Sequence, residues 1–591
     1  MIEKITLSIL ILTLPGIIFS LLLFNKKEVT ALEFYSISQA FSIGALAFIT
    51  TVLLLLNILI NIYIIYILIS IFIAIIFIFK YILKIKVKLI FGKYEFLALI
   101  FLAIPIIYYI LYFYSEPYFS LSPSGDYYYY VYHYKTLYAG DIINYYLNRQ
   151  SIFAPALFLV SFPLDVPFSF ISIRYLVAYF DILTGLMIYS ATLIATKNRK
   201  WALIALLCFN IILFVNYSAY FFSGFFANIL ANFMSLALIY LIFYLKEENL
   251  KSYFFLIILT ISTLAIHISV GLLFITLLIV FLLSLRKKFF KIPIKNMLIT
   301  IIPFFITIIL GFTVIKAYGE MPLLIYFFQH ALKDINVVFL TPSTQEENPI
   351  SYVINTYFRF LIPYTSITLQ HFLLFYPLLI IPFISFKFYK EKFILLNLIW
   401  FFVILIFSNI YFLQYIRFSF ILYIPTAVLL SFFIYKAFDK FSESISNIKL
   451  LKKPIYILSL LFLIIVAIST SAFIAPKFAL QSISLNAIHN YENDMFDAMN
   501  YIKENFSNYT VIIYTEKLMY LELYYNIKVI HSIYKPTELN YTENSIVVVN
   551  KGIFTYYYDN HVETVDLVME FEKAGFKKVY ENGHVVIFIP P

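Results

Sequence analysis

The chain has a single cysteine, Cys208, in 591 residues, so no intramolecular disulfide can form and thiols give no reading of the redox compartment. It is poor in glycine, with 13 residues, and in charge, with 13% Asp, Glu, Lys and Arg against 63% hydrophobic residues. So little charge over so much apolar sequence excludes a soluble globular protein. The scarcity of glycine argues against the glycine-broken helices of many transporters. No glycine-rich phosphate loop, zinc-ligand spacing or nucleophile elbow occurs after residue 476. The net charge of +10 is not a nucleic-acid signature, because the lysines cluster in short turns between apolar runs.

What is present is a series of apolar runs of roughly 20 residues, the length that crosses a hydrocarbon core. Basic residues mark seven turns as cytoplasmic by the positive-inside rule: Lys26–Lys27, Lys80–Lys93, Lys197–Lys200, Lys246–Lys251, Arg286–Lys295, Lys387–Lys392 and Lys436–Lys453. Two spans per turn predict a polytopic α-helical membrane domain over 1–475 with about 14 spans and both termini extracytoplasmic. The opening apolar run reads as a retained first helix, near 5–24, and not as a cleaved signal. The run 253–285 is too long for one span and is expected to turn at the outer surface near His267–Gly271.

Residues 476–591 change character and read as an extracytoplasmic α/β domain. Met495, Met499, Ile502 and Phe506 have helical spacing; strands are expected at 510–514, 529–531 and 546–549, and a helix at 563–574. Asn582-Gly583 signals a hairpin turn before a last strand, 585–589. Asn505, Asn508 and Asn540 head glycosylation sequons, in keeping with an outside location.

Two further outward segments, 115–153 and 317–368, are candidates for function, since loops on a rigid scaffold carry binding and catalysis. The first contains Ser-Pro-Ser-Gly-Asp126, a turn that delivers an acid to a helix start. His133, seven residues on, shares its helical face. A carboxylate there can take a proton from an acceptor hydroxyl, and Tyr127 and Tyr130 offer stacking surfaces for sugar rings. The alternative is that Asp126 only caps the helix and the tyrosines form an interfacial belt.

Arg149 and Arg417 lie at outer positions where a guanidinium grips a phosphate or anchors a helix to headgroups; His267, at the expected outer turn, has a similar choice. Arg174 and Asp181 are buried-charge candidates in one span. Seven residues apart, they share a face at a separation of about 10 Å, too far to pair, so each is expected to have a partner on a neighbouring helix. Asn228 and Asn232, one turn apart, read as helix-to-helix glue. Glu320, Gln329, His330 and Arg359 are candidates by location.

The chain resembles the GT-C class of membrane glycosyltransferases, in particular archaeal members related to the dolichyl-phosphate-mannose-dependent protein mannosyltransferases. The features that carry the resemblance are Gly125-Asp126 with His133 in the first outward loop, Ala265-Ile266-His267 at an outer helix turn, and many spans ending in a soluble domain. Leu14-Pro15-Gly16, followed by Glu33 and Ser42-Ile43-Gly44, is similar to the start of several archaeal membrane proteins of this kind. The resemblance implies a polyprenyl-phosphate or diphosphate sugar donor, a protein or glycan acceptor, and a product formed outside the cytoplasm. It also implies Asp126 as the catalytic base and Arg417 as a phosphate contact.

The chain departs from these relatives. Asp126 is followed by Tyr127 and not by a second acid, and no Trp-Trp-Asp signature of oligosaccharyltransferases occurs, since Trp201 and Trp400 stand alone. No cofactor is required, and a divalent metal is possible but not implied, because no second acid lies near Asp126. A transporter or flippase for lipid-linked sugars, and a non-catalytic membrane scaffold, remain as alternatives. The transporter reading would be favoured by internal repeats; Pro105, Pro303 and Pro377 do not fall at repeat-like intervals.

Overall fold

The computed structural model of the chain describes residues 2–55, 60–115, 153–164, 166–213, 226–244, 250–266, 384–410, 423–444, 497–514, 527–531, 536–551, 553–558 and 561–591, with isolated positions between these stretches. They form two compact units, one helical and one carrying a five-stranded sheet.

In the helical unit, six helices among the described residues are long and apolar enough to cross a membrane: Ile2–Leu23, Ala31–Thr50, Ile62–Ile82, Lys93–Ile110, Ser172–Thr196 and Ala227–Tyr244. The chain is therefore a helical membrane protein, and the other expected spans fall largely on residues outside the described set. The elements are α1 (Ile2–Leu23), β1 (Glu28–Thr30), α2 (Ala31–Leu55), α3 (Ile62–Phe77), β2 (Lys88–Ile90), α4 (Lys93–Ser115), α5 (Phe153–Ser161), α6 (Val166–Thr196), α7 (Arg199–Leu207), α8 (Phe226–Tyr244), α9 (Leu250–Ile266), α10 (Lys392–Ile410) and α11 (Tyr423–Ser444).

The first two helices form an antiparallel pair that relies on small residues, as helix contacts in lipid do. Gly16 N donates to Ser42 Oγ at 2.9 Å, and Ser38 Oγ donates to Ser20 Oγ at 2.8 Å. A Cβ on Gly16 would land on the Ser38 carbonyl oxygen. The Pro15-Gly16 and Ser42-Ile43-Gly44 motifs thus meet across one interface, and Gly44 lies close to Ser262 of α9.

The basic turns gather at one end of the unit. Strands β1 and β2 pair in parallel from Glu28↔Lys88 to Thr30↔Ile90, and Lys26 N donates to Lys86 O at 2.7 Å. Lys27 Nζ lies 5.6 Å from the Tyr244 ring at the end of α8. Asn198, which caps α7, donates to Tyr435 at 2.9 Å, while Trp201 donates to Ser431 at 3.0 Å and packs against Phe393 of α10. Lys26, Lys84 and Lys197 adopt left-handed φ of 60°, 51° and 57°. Lys197 directly follows α6, where helices commonly end on glycine; this glycine-poor chain uses lysine instead, at a conformational cost of roughly 1 kcal/mol.

The second unit contains β3 (Thr510–Ile513), β4 (Val529–His531), β5 (Ser545–Asn550), β6 (Ile553–Tyr558), β7 (His561–Asp566), α12 (Leu567–Lys573), β8 (Lys577–Glu581) and β9 (Val585–Ile589). Its main sheet runs β4-β3-β5-β9-β8, with β3 parallel to β4 and β5, and with β9 antiparallel to β5 and β8. Central β5 is an unbroken buried run, Ile546–Val549, as expected of a strand covered on both faces. Phe571 of α12 and Phe576 just after it share one buried cluster with Phe588 and Val547.

The helix expected at 563–574 starts later, at Leu567. Val562 and Thr564 are β-branched, and residues 561–566 are taken up by the β6–β7 ladder. The Asp566 side chain then caps α12 by accepting from Val568 N at 2.9 Å and Met569 N at 3.4 Å. Gly575, at φ 83°, ends it, with Phe576 N donating to Phe571 O at 3.0 Å. The Asn582-Gly583 turn is present and is held by the Asn582 side chain, which accepts from His584 N at 3.2 Å and Val585 N at 2.9 Å.

Two substitutions should move stability in opposite directions. Gly16→Ala is predicted to cost about 1–3 kcal/mol through overpacking, and Lys197→Gly to gain up to about 1 kcal/mol by relieving the left-handed backbone; thermal unfolding in detergent reads both. At the β8 end, ion pairs at 2.7 Å with Lys551 and with Lys578 pull the Glu581 carboxyl from its ordinary 4.5 to about 2. A depressed carboxyl stabilises above its unfolded value, so its contribution should be lost as pH falls from 4.5 towards about 2. Carboxyl NMR titration should place the midpoint low in the wild type and higher in Lys551→Gln.

Candidate functional site

Of the residues singled out in the sequence, Asp126, Tyr127, Tyr130, His133, Arg149, His267 and Arg417 lie outside the described residues, as do Glu320, Gln329, His330 and Arg359. The structure describes the helices on either side of the Asp126 loop, α4 before it and α5 and α6 after it.

Helix α4 begins at Lys93 among the basic turns and runs away from them. Near its far end the Tyr109 hydroxyl donates to Asp181 Oδ2 on α6. Both side chains are buried, and Asp181 Oδ1 has no hydrogen-bond partner among the described residues. At the helical rise, Tyr109 lies about 24 Å from Lys93 and Asp181 about 22 Å from Thr196, depths in the half of a roughly 30 Å hydrocarbon layer that lies away from the basic turns. Helices α4 and α6 are therefore tied together near the end of α4 that lies away from Lys93.

A second tie lies deeper. Pro105 inside α4 has no N–H, so the Phe101 carbonyl loses its normal intrahelical donor. Asn210 Nδ2 donates to that carbonyl at 3.0 Å, satisfying a group that could not stay unpaired in lipid. Asn210 reaches it because Gly185 of α6 has no side chain: a Cβ there would strike Asn210 Oδ1.

Arg174 is buried on α6 about 33 Å from Thr196, roughly the full thickness of a hydrocarbon layer away from the basic turns. It and Asp181 do not pair. Asn228 and Asn232 are both buried on α8, Asn228 at a depth of about 24 Å from Tyr244, similar to Asp181.

Two buried carboxylates, Glu33 and Glu95, carry no chemical reading from the sequence. Glu33 Oε2 accepts from Thr30 N at 3.1 Å and Thr30 Oγ1 at 2.8 Å, while Thr30 Oγ1 accepts from Glu33 N at 3.2 Å. This is a capping box, legible as Thr30-Ala-Leu-Glu33. Tyr240 OH donates to Glu33 Oε1 at 3.3 Å. Glu95 caps α4 through Gly92 N at 2.9 Å, accepts from Tyr189 OH at 3.2 Å and lies 3.8 Å from Arg199 Nε. Both acids lie at the basic end, and their partners make them fasteners of the turns.

Among the described residues no group of three or more His, Cys, Asp or Glu is placed to hold a metal ion. No protein-family model matches the chain, and no curated protein matches it. Among solved structures, it superposes on the crystal structure of the Archaeoglobus fulgidus oligosaccharyltransferase in complex with Zn and sulfate. That superposition has a TM-score of 0.44 and 12% identity over 80% of this chain and 73% of the other. Superposition at that level does not establish a common fold, and no functional residue is carried across from it.

Removing one partner of a buried hydrogen bond leaves the other desolvated, whereas removing both does not. Tyr109→Phe is predicted to cost about 1–2 kcal/mol, and Tyr109→Phe with Asp181→Leu to cost less than the sum of the single changes. Thermal unfolding of the four proteins in detergent tests this coupling, and strict additivity would rule out the tie.

Proposed function

We propose that this chain is a membrane glycosyltransferase of GT-C-like plan that moves a sugar from a polyprenyl-phosphate-linked donor to a protein or glycan acceptor on the extracytoplasmic side. The observation that carries the reading is the direction of α4. Its Lys93 end lies among the basic turns, and its Ser115 end leads into the loop bearing Asp126. The positive-inside rule then puts the acid at the outer membrane surface, where a lipid-linked donor presents its headgroup. In the same proposal the membrane domain has about 14 spans, with both termini and residues 476–591 outside.

The chemistry is an inverting single displacement. The acceptor hydroxyl oxygen bonds to the anomeric carbon as the bond from that carbon to the phosphate oxygen breaks, and the phosphate departs with the electron pair. Asp126 takes the hydroxyl proton. Arg417, Arg149 and His267 are assigned to the leaving phosphate, and Arg174 at the outer boundary of α6 is a further cation for it. Tyr127 and Tyr130 stack the sugar, with His133 on the face of Asp126. The isoprenoid tail lies between helices. The buried Arg174 and Asp181 also suit a transporter or flippase of lipid-linked sugars, since intramembrane charges mark transport pathways.

The test is transfer of radiolabelled sugar from polyprenyl-phosphate donors to membrane lipid and protein acceptors by the purified protein. Asp126→Asn should lower the rate by roughly 100- to 10,000-fold while the protein stays folded. Unchanged transfer would move the base elsewhere. Sugar-lipid translocation without transfer, in reconstituted vesicles, would establish the transporter.

A further inference from the structure

One face of the C-terminal unit has an aromatic surface that the transfer chemistry does not use. Tyr501, in the helical segment 497–505, stacks on Tyr580 of β8 with ring centroids 4.5 Å apart and planes at 27°. Each ring is fixed by a polar tie: Tyr501 OH donates to Val579 O at 3.2 Å, and Tyr580 OH accepts from Asn582 Nδ2 at 3.2 Å. Both rings stay partly exposed, although residues 585–588 of the adjoining strand are wholly buried.

Planar polar groups edge the rings. His584 Nδ1 pairs with Asp494 Oδ2 at 2.6 Å, and Asn582 Nδ2 also donates to the Asp494 carbonyl at 2.6 Å. Gly583 is pressed so closely to Asp494 that a Cβ would strike its carboxylate, which holds the turn and the acid in one arrangement. Asp497 is exposed one turn before Tyr501. Burial first, and then Asp497 and Asp494, raise the Tyr580 phenol above its ordinary value, so it stays a neutral hydroxyl at physiological pH.

We propose that this surface is a carbohydrate-binding site, in which the outer face of the stacked Tyr501–Tyr580 pair packs on the aliphatic face of a neutral sugar and Asp494, Asp497 and His584 meet its hydroxyls. A pyranose has an apolar C–H face ringed by hydroxyl donors and acceptors. A rigid tyrosine surface bordered by carboxylate and imidazole is its complement. The two aspartates disfavour a phosphate or nucleic-acid ligand, since like charges repel. Rings stacked one over the other leave only an outer face for a ligand and do not form the cage that encloses a quaternary ammonium ion. The inference stands on this surface and does not depend on the transfer reaction.

The experiment is isothermal titration of the full-length protein in nanodiscs with four neutral probes: mannobiose, maltotriose, cellotriose and chitobiose. At least one should bind. Tyr501→Ala and Tyr580→Ala should each weaken that binding by roughly tenfold or more, and Tyr580→Phe, which keeps the ring, by less. Asp497→Ala alters an exposed side chain outside the stack and should weaken binding even if the ring variants fail to fold. Asp126→Asn should leave binding unchanged, which separates this site from the transfer site. Binding of none of the probes, binding that survives the ring and Asp497 variants, or displacement of the sugar by tetramethylammonium would overturn the proposal.

Discussion

The gathering of the basic turns at one end of the helical unit is the constraint on which the rest of the account depends. Lysine and arginine are costly inside the hydrocarbon layer, so the end that holds them must lie at a membrane surface. Here that end is also built as a structure: the β1–β2 ladder joins the turns after α1 and α3, and Glu95 and Asn198 tie α4 and α7 to their neighbours. Once those ends are fixed together, the direction of each helix follows. Their opposite ends, where the Asp126 loop begins, face the other side.

Within the layer, backbone polar groups must find partners in the protein. The helices around α4 meet that demand in ways that also set their spacing. Proline in α4 frees a carbonyl, asparagine on a neighbour satisfies it, and glycine on α6 leaves room for that asparagine. Farther out, Tyr109 and Asp181 join α4 to α6. The loop with the proposed base thus leaves a helix that is braced twice, and a braced scaffold is what a positioned acid requires.

Much of this was legible in the sequence where it depended on local rules. Turn positions followed from lysines, the strands at 529–531 and 585–589 from short β-branched runs, and the last hairpin turn from Asn582-Gly583. The start of α12 was placed too early because the helical spacing beyond residue 567 was extended back over Glu563 to Asp566, where the β-branched Thr564 and Val565 instead suit the strand that pairs with β6. The partner of Asp181 was not legible, because Tyr109 is one of 52 tyrosines and nothing local distinguishes it. Pro105 looked like an interruption without a counterpart; its meaning depends on Asn210, which is 105 positions away and brought near only by packing. The Thr30-Ala-Leu-Glu33 capping box went unread in the sequence although its spacing shows it, and it accounts for a buried glutamate that would otherwise invite a catalytic reading.

The central claim is that the Asp126 loop and the basic turns lie on opposite sides of the membrane. Cys208 is the only cysteine and is buried, so single introduced cysteines can be read with little background. Intact cells carrying Ser124→Cys or Lys88→Cys would be treated with a membrane-impermeant maleimide before and after permeabilisation. The account predicts that Ser124→Cys is labelled in intact cells and Lys88→Cys only after permeabilisation. Labelling of Lys88→Cys in intact cells, with Ser124→Cys protected, would contradict it.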